Sequence, residues 1–185
     1  MNEKSKKVIE RLEGTLIADL KTIMVTAEKR HNGDDAFKAL PGGLNFSLFL
    51  MGLIAAETIG YLITKDSVSG RSDENIRNFI KSHHFNGNSY KKENYLNKLV
   101  SLRTNLAHVF GMTDLKLGSV SDNLSLRVGS IDDHELRRNG EKVELNGIKF
   151  VDCVVSAFES IKSEVLSNES SNISNFINSK ADITN

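Results

Sequence analysis

Two residues of one segment, Arg103 and His108, have side chains suited to chemistry on an anionic substrate. A guanidinium offers a planar set of donors that fits a phosphate or a developing negative charge. An imidazole has an unperturbed pKa near 6.5 and can accept or release a proton at neutral pH. The sequence therefore directs attention to residues 99–111, LVSLRTNLAHVFG, and to the element that must hold the two side chains.

The spacing of apolar residues predicts a helix from about Tyr90 to Val109, with Gly111 as the residue that ends it. At 100° per residue, Arg103 falls inside an apolar arc of about 180°, and His108 lies nearly opposite the centre of that arc. The polar face around His108 also carries Asn97, Ser101, Thr104. Such a face fits a surface that meets another chain or a ligand, or an ordinary exposed face that ends in a histidine favoured by the helix dipole.

The partner expected for Arg103 is Glu57. A guanidinium on an apolar face must be paired, because an isolated buried charge is costly. Residues 44–63 form a nearly all-apolar segment in which Glu57 is the only charged residue. We therefore predict that Glu57 and Arg103 meet or share a polar pocket.

The segment 44–63 is long enough to span a bilayer, but polar residues interrupt it and no second span follows. A helix that is apolar all round is also typical of the centre of a bundle. Gly52, Ala56 and Gly60 recur every four residues and would let another helix approach closely. The sequence predicts a core helix here and no membrane association.

The remaining pattern predicts a single domain over residues 1–166, a mainly α, up-and-down helical bundle. Helices are expected over 4–30, from Ser72 as N-cap to Ser82, and after Gly147 to Val165. Alternating residues and the turn signal Asn139-Gly140 predict a β-hairpin insertion at about 119–147. The Ser/Asn-rich residues 167–185 are expected to be a fraying C-terminal tail.

Composition limits the classes of function. The chain has 185 residues and a net charge of zero, which argues against indiscriminate nucleic-acid binding over the whole surface. Residues 65–111 nevertheless hold eight Lys/Arg against four Asp/Glu, so a local basic site is open. One cysteine, Cys153, rules out an internal disulfide and is expected in the core of a cytoplasmic protein. No zinc-ligand spacing and no phosphate-binding glycine loop is present, so we expect neither a metal site nor a cofactor.

The string LRTNLAH resembles the R-x4–6-H signature of the HEPN superfamily, in which small helical bundles carry the motif near the end of a long helix. The preceding segment FLMGLIAAETIGYLI is similar to the apolar helix with a buried acidic residue in small plasmid- and phage-type members. The resemblance covers about residues 44–165 in the order of elements. One departure is Thr104 after the arginine, where the family usually has Asn, Asp or His; an asparagine follows as Asn105.

The resemblance implies a metal-independent endoribonuclease that binds RNA as a homodimer with both motifs in one cleft, and a role as a toxin or defence effector is consistent with it. Arg103 and His108 would be catalytic. Glu57 would orient Arg103, and Thr104 or Asn105 would bind the phosphate or the histidine. A cognate antitoxin or another protein could be a further partner.

Two alternatives stay open. Arg77 precedes His83 and His84 at permitted spacings, which makes RNFIKSHH a rival motif with the favoured Asn78 after its arginine. The second alternative is a non-catalytic HEPN-like module that dimerises or binds a partner or nucleotide. In that module Arg103 is structural and His108 only caps its helix.

Overall fold

The computed structural model describes residues 3–34, 44–109, 124–139, 142–167 and 171–181. These residues form a mainly helical fold with a small sheet, as the hydrophobic pattern predicts. The helices are α1 (Glu3–Leu12), α2 (Ala18–His31), α3 (Asn45–Ile63), α4 (Ser72–Lys81), α5 (Glu93–Val109), α6 (Gly147–Ser167) and α7 (Asn172–Ala181). A π-helical segment, Glu13–Ile17, joins α1 to α2, so the helix predicted at 4–30 is one run of helical backbone.

Helix α3 is the core helix that its composition predicts. It packs against α2, α4, α5, α6 and α7, and its residues Leu48, Phe49 and Leu53 are fully buried. Its stretch Phe46–Ile63 has the length and composition of a membrane span, a property that buried core helices share. The neighbouring helices cover α3 on several sides, which explains why it tolerates apolar residues nearly all round.

The small residues of α3 allow the close approaches predicted for them. A Cβ atom added at Gly60 would lie 1.9 Å from the backbone oxygen of Asn75 on α4. A Cβ atom at Gly52 would lie 2.9 Å from the Phe150 ring on α6. Gly60 in particular lets the backbone of α4 lie directly against α3. The first residue of α4, Ser72, is thereby placed within hydrogen-bond distance of Glu57.

The predicted hairpin is present, but it is part of a larger sheet. Strands β2 (Leu136–Asn139) and β3 (Lys142–Asn146) pair in antiparallel register around the Asn139-Gly140 turn, whose glycine lies outside the described residues. Strand β1 (Leu124–Arg127) pairs in parallel with the other edge of β3. The insertion is therefore a three-stranded mixed sheet, because the eight residues between β1 and β2 cross the carboxyl end of β3 and place β2 on its other edge.

The prediction of a fraying tail is wrong for residues 171–181. Helix α7 packs against α1 and α3, and Ile173 and Ile177 are buried. Lys180 is buried as well, and its ammonium donates to the backbone oxygens of Tyr61 and Thr64 at the end of α3. The Ser/Asn-rich composition did not indicate the apolar i, i+4 pair Ile173 and Ile177. It also did not indicate that Lys180 would donate to backbone oxygens at the carboxyl end of a core helix.

Candidate functional site

Helix α5 positions Arg103 at the edge of its apolar face. Leu96, Leu99 and Leu102 are buried against the core, as the predicted wheel requires. The Arg103 side chain has an exposed fraction of 21%. Its guanidinium is thus mostly removed from water, and a charge in this position requires a partner.

That partner is Glu57, as predicted. The Arg103 Nε and Nη2 atoms each lie 3.0 Å from Glu57 Oε2, and the exposed fraction of the Glu57 side chain is 20%. A charge-assisted hydrogen bond from Nε and the ion-pair contact of Nη2, both to one carboxylate oxygen, hold the guanidinium in place. The two charged residues on otherwise apolar helix faces therefore compensate each other.

Ser72 completes this arrangement in a way that the sequence did not indicate. Its hydroxyl donates to Glu57 Oε1 over 2.6 Å. The prediction of Ser72 as the N-cap of α4 is wrong, because Ser72 is the first helical residue and Arg71 precedes the helix without a side-chain cap. The Ser72 hydroxyl instead donates its hydrogen to the Glu57 carboxylate, and a charged acceptor forms a stronger hydrogen bond than a neutral one. Glu57, Ser72 and Arg103 are called the Glu57 cluster below.

The Glu57 cluster joins α3, α4 and α5 and lies next to solvent. Both Glu57 oxygens accept hydrogen bonds within the cluster. In the described part of the chain, the Arg103 guanidinium contacts Glu57 through Nε and Nη2. A shallow depression of about 410 Å³, lined by residues 70–74, lies beside Ser72. The cluster therefore holds the Arg103 guanidinium in one orientation at the junction of three helices.

The other residues of the predicted site lie farther along α5. Thr104, Asn105 and His108 belong to this helix, and their side chains fall outside the described residues, as does Gly111. Five residues of α-helix separate Arg103 from His108 by about 7.5 Å along the axis and about 140° around it. One molecule therefore places the two positions on different sides of α5.

The structure separates the rival motif into two sites. Arg77 donates to Glu93 Oε1 over 2.8 Å and to the Asn97 side chain, so its guanidinium ties α4 to α5. Lys81 also pairs with Glu93, and its hydrogen bond, followed by the charges of Lys81 and Arg77, lowers the pKa of the Glu93 carboxyl. His83 and His84 instead face α6. The arginine and histidines of RNFIKSHH thus have different partners.

His84 is held in a polar niche on α6. Its exposed side-chain fraction is 3%, and its Nδ1 atom lies 2.9 Å from Ser160 Oγ. Its Nε2 atom lies 3.4 Å from Glu164 Oε2. Burial, followed by the charge of His83, lowers the pKa of the His84 imidazole, and Glu164 opposes that shift.

Three side chains that could bind a metal ion come together in the fold, although the sequence shows no zinc-ligand spacing. The ligand atoms of His83, His84 and Glu164 all lie within 4.8 Å of one another. Sequence spacing could not show this group, because Glu164 lies on a helix eighty residues downstream of the histidines. The available signals were the adjacent histidines after α4 and the i, i+4 pair of Ser160 and Glu164 on α6.

Cys153 lies in the core, as predicted. The residue is buried, and burial raises the pKa of its thiol to about 12. A thiol in this state is neither a nucleophile nor a metal ligand at neutral pH. The groups considered below are therefore the Glu57 cluster and the two histidines that follow α4.

Comparison with protein-family models, with curated proteins and with solved structures finds no match to this chain.

Proposed function

We propose that this protein is a HEPN-type, metal-independent endoribonuclease with Arg103 and His108 as its catalytic residues. The observation that carries the proposal is the contact of Arg103 with Glu57. A guanidinium kept on an apolar helix face, and oriented by an acid on the preceding apolar helix, is the arrangement that the motif resemblance implies. The mainly helical fold and the order of α3 before α5 support the same assignment.

The chemistry follows from the side chains. His108 would take the proton of a ribose 2′-hydroxyl, or protonate the leaving 5′-oxygen, and Arg103 would stabilise the charge that develops on the phosphate. Attack by the 2′-oxygen forms a bond to phosphorus while the bond to the 5′-oxygen breaks. The products are a 2′,3′-cyclic phosphate and a free 5′-hydroxyl. In a homodimer, two His108 imidazoles across one cleft would divide the acid and base steps.

Thr104 and Asn105 would then bind the phosphate or the histidine from the same helix. The basic surplus over residues 65–111 would attract the RNA backbone before cleavage. A toxin or defence role, with a cognate antitoxin as protein partner, fits a nuclease of this class. Cytoplasmic RNA would be its substrate.

A second candidate function is a non-catalytic binding module of the same fold. Glu57 already uses Nε and Nη2 of Arg103, an arrangement that also suits a purely structural ion pair. Thr104 stands where the resembled motif has Asn, Asp or His. In this case the protein binds RNA, a nucleotide or a partner chain without cleaving RNA.

The deciding experiment incubates total RNA in EDTA with the wild type, His108→Ala and the matched control His31→Ala, which removes an exposed histidine at the end of α2. We expect cleavage by the wild type and the control, with cyclic phosphate ends. His108→Ala should lose about 10²–10⁴-fold in rate, the usual contribution of a general acid or base. Equal cleavage by His108→Ala, or cleavage that requires magnesium, would contradict the mechanism. RNA binding without cleavage would support the second candidate.

A further inference from the structure

The cluster formed by His83, His84, Ser160 and Glu164 has a use that the proposed nuclease chemistry does not require. His83 and His84 follow the end of α4, and Ser160 and Glu164 lie one turn apart on α6. These residues therefore join the segment after α4 to α6, whereas the Glu57 cluster joins α3, α4 and α5. We call these four residues the His84 cluster.

The orientation of the His84 ring leaves one nitrogen without a hydrogen bond. Nδ1 is bonded to Ser160 Oγ, and the buried Nε2 atom has no hydrogen-bond partner among the described residues. This Nε2 atom nevertheless lies 3.4 Å from the Glu164 carboxylate. When Nδ1 donates its hydrogen to Ser160, the Nε2 lone pair lies close to a negative oxygen without a hydrogen bond, which is unfavourable unless a cation binds to both.

The distances match a small transition-metal ion. Two ligands at 2.0–2.1 Å from a tetrahedral zinc ion lie about 3.3 Å apart. The separation of His84 Nε2 from Glu164 Oε2 is 3.4 Å. The His83 Nε2 atom lies 4.0 Å from the same oxygen, and its side chain, with an exposed fraction of 79%, is free to rotate closer.

The surroundings also resemble those of an organised site. A metal-ligating histidine commonly donates its second nitrogen to another group, which fixes the tautomer and the ring orientation, and Ser160 has this position here. The His83 and His84 rings lie 3.8 Å apart between centroids, and the ligand atoms of both imidazoles and of Glu164 lie within 4.8 Å of one another. Two imidazoles and one carboxylate suit zinc-like ions, whereas magnesium and calcium prefer oxygen ligands alone.

We propose that His83 Nε2, His84 Nε2 and Glu164 Oε2 bind one divalent transition-metal ion of the Zn²⁺ type, with water in the fourth position. The ion links the segment after α4 to the carboxyl-terminal half of α6. Its first effect is to stabilise the fold, because the ligands come from segments that are distant in sequence. The site is independent of the proposed cleavage reaction, which uses no metal.

The test measures Zn²⁺ and Co²⁺ binding to the metal-stripped full chain by calorimetry and by the visible absorption of bound Co²⁺. We expect one ion per chain and a melting temperature that rises with Zn²⁺ concentration. His83→Ala and Glu164→Gln should each weaken binding at least about tenfold, since loss of a mere supporting residue already costs this much. His134→Ala, at another exposed histidine, should bind as the wild type does.

The His83→Ala result can be interpreted as a change in metal binding, because that side chain is exposed and its loss should leave the fold intact. Absence of saturable Zn²⁺ and Co²⁺ binding would overturn the proposal. Unchanged affinity in both His83→Ala and Glu164→Gln would also overturn it, as the ion would then lie elsewhere. Preference for Mg²⁺ or Ca²⁺ over Zn²⁺ would contradict the ligand argument. None of these outcomes depends on whether the protein cleaves RNA.

Discussion

Replacing Arg103 by methionine should destabilise the fold, because the change removes the Nε hydrogen bond and the Nη2 ion-pair contact to Glu57 Oε2. Methionine keeps most of the length of the side chain and its contact with the apolar face of α5. The Glu57 carboxylate then retains the hydroxyl of Ser72 as its described partner, but no cation. The substitution thus isolates the cost of leaving a mostly buried carboxylate without its counter-charge.

The expected magnitude follows from the exposure of the two side chains. Breaking a fully buried ion pair costs about 3–5 kcal/mol, whereas an exposed pair contributes about 0.2–1 kcal/mol. The side chains of Arg103 and Glu57 have exposed fractions of 21% and 20%, which places the pair nearer the buried limit. We expect Arg103→Met to lower the free energy of unfolding by about 2–3 kcal/mol, or the melting temperature by about 4–12 °C.

A double-mutant cycle with Glu57→Gln separates the pair interaction from the other effects of each change. The coupling energy from urea unfolding at 25 °C should be about 1–2 kcal/mol. Arg71→Met is the matched control, because Arg71 pairs with Glu74 at 3.3 Å in an exposed position. Its effect should stay within about 0.5 kcal/mol. A coupling energy near zero, or an equal effect of Arg71→Met, would refute the claim that Glu57 holds Arg103 in place.

Two further predictions concern packing. Gly60→Ala should destabilise the fold by about 1–3 kcal/mol in urea unfolding, because the new methyl group collides with the Asn75 backbone oxygen. Gly14→Ala, where an added Cβ atom meets nothing within 4 Å, should be neutral or stabilising, and equal losses at both positions would contradict the close-packing argument. Lys180→Met should lower the free energy of unfolding by about 1–3 kcal/mol and expose α7 to limited proteolysis, because the end of α3 loses an ammonium donor. A protease pattern identical to that of the wild type would show that Lys180 does not hold α7.

Sequence reasoning predicted those features that depend on local periodicity or on compensation of charge. The apolar spacing gave α3, α5 and α6, because each helix buries a face that recurs every three to four residues. The Glu57–Arg103 contact was predictable since each residue is charged on an otherwise apolar face. Both arguments need only the chemistry of one segment at a time.

The remaining features depend on partners that are remote in sequence. The local sequence shows Ser72 only as a residue at the start of a helix, where serine often acts as a cap. Its actual acceptor, Glu57, lies on another helix and cannot be seen in that local pattern. The i, i+4 pair of Ser160 and Glu164 did not indicate its partner, because His84 lies eighty residues earlier in the chain. The parallel pairing of β1 with β3 likewise depends on the path of residues 128–135, which place β2 on the opposite edge of β3. Tertiary contacts of this kind decide the final role of polar residues that local patterns leave undetermined.

The position of α7 has a consequence for synthesis of the chain. Helix α7 covers surface contributed by α1 and α3, yet it is the last of the described helices to leave the ribosome. Until then, the surface of α1 and α3 that α7 covers is open to solvent, where chaperones or other nascent chains can bind. Ribosome-bound intermediates stalled before residue 171 should therefore be the species most prone to aggregation during translation.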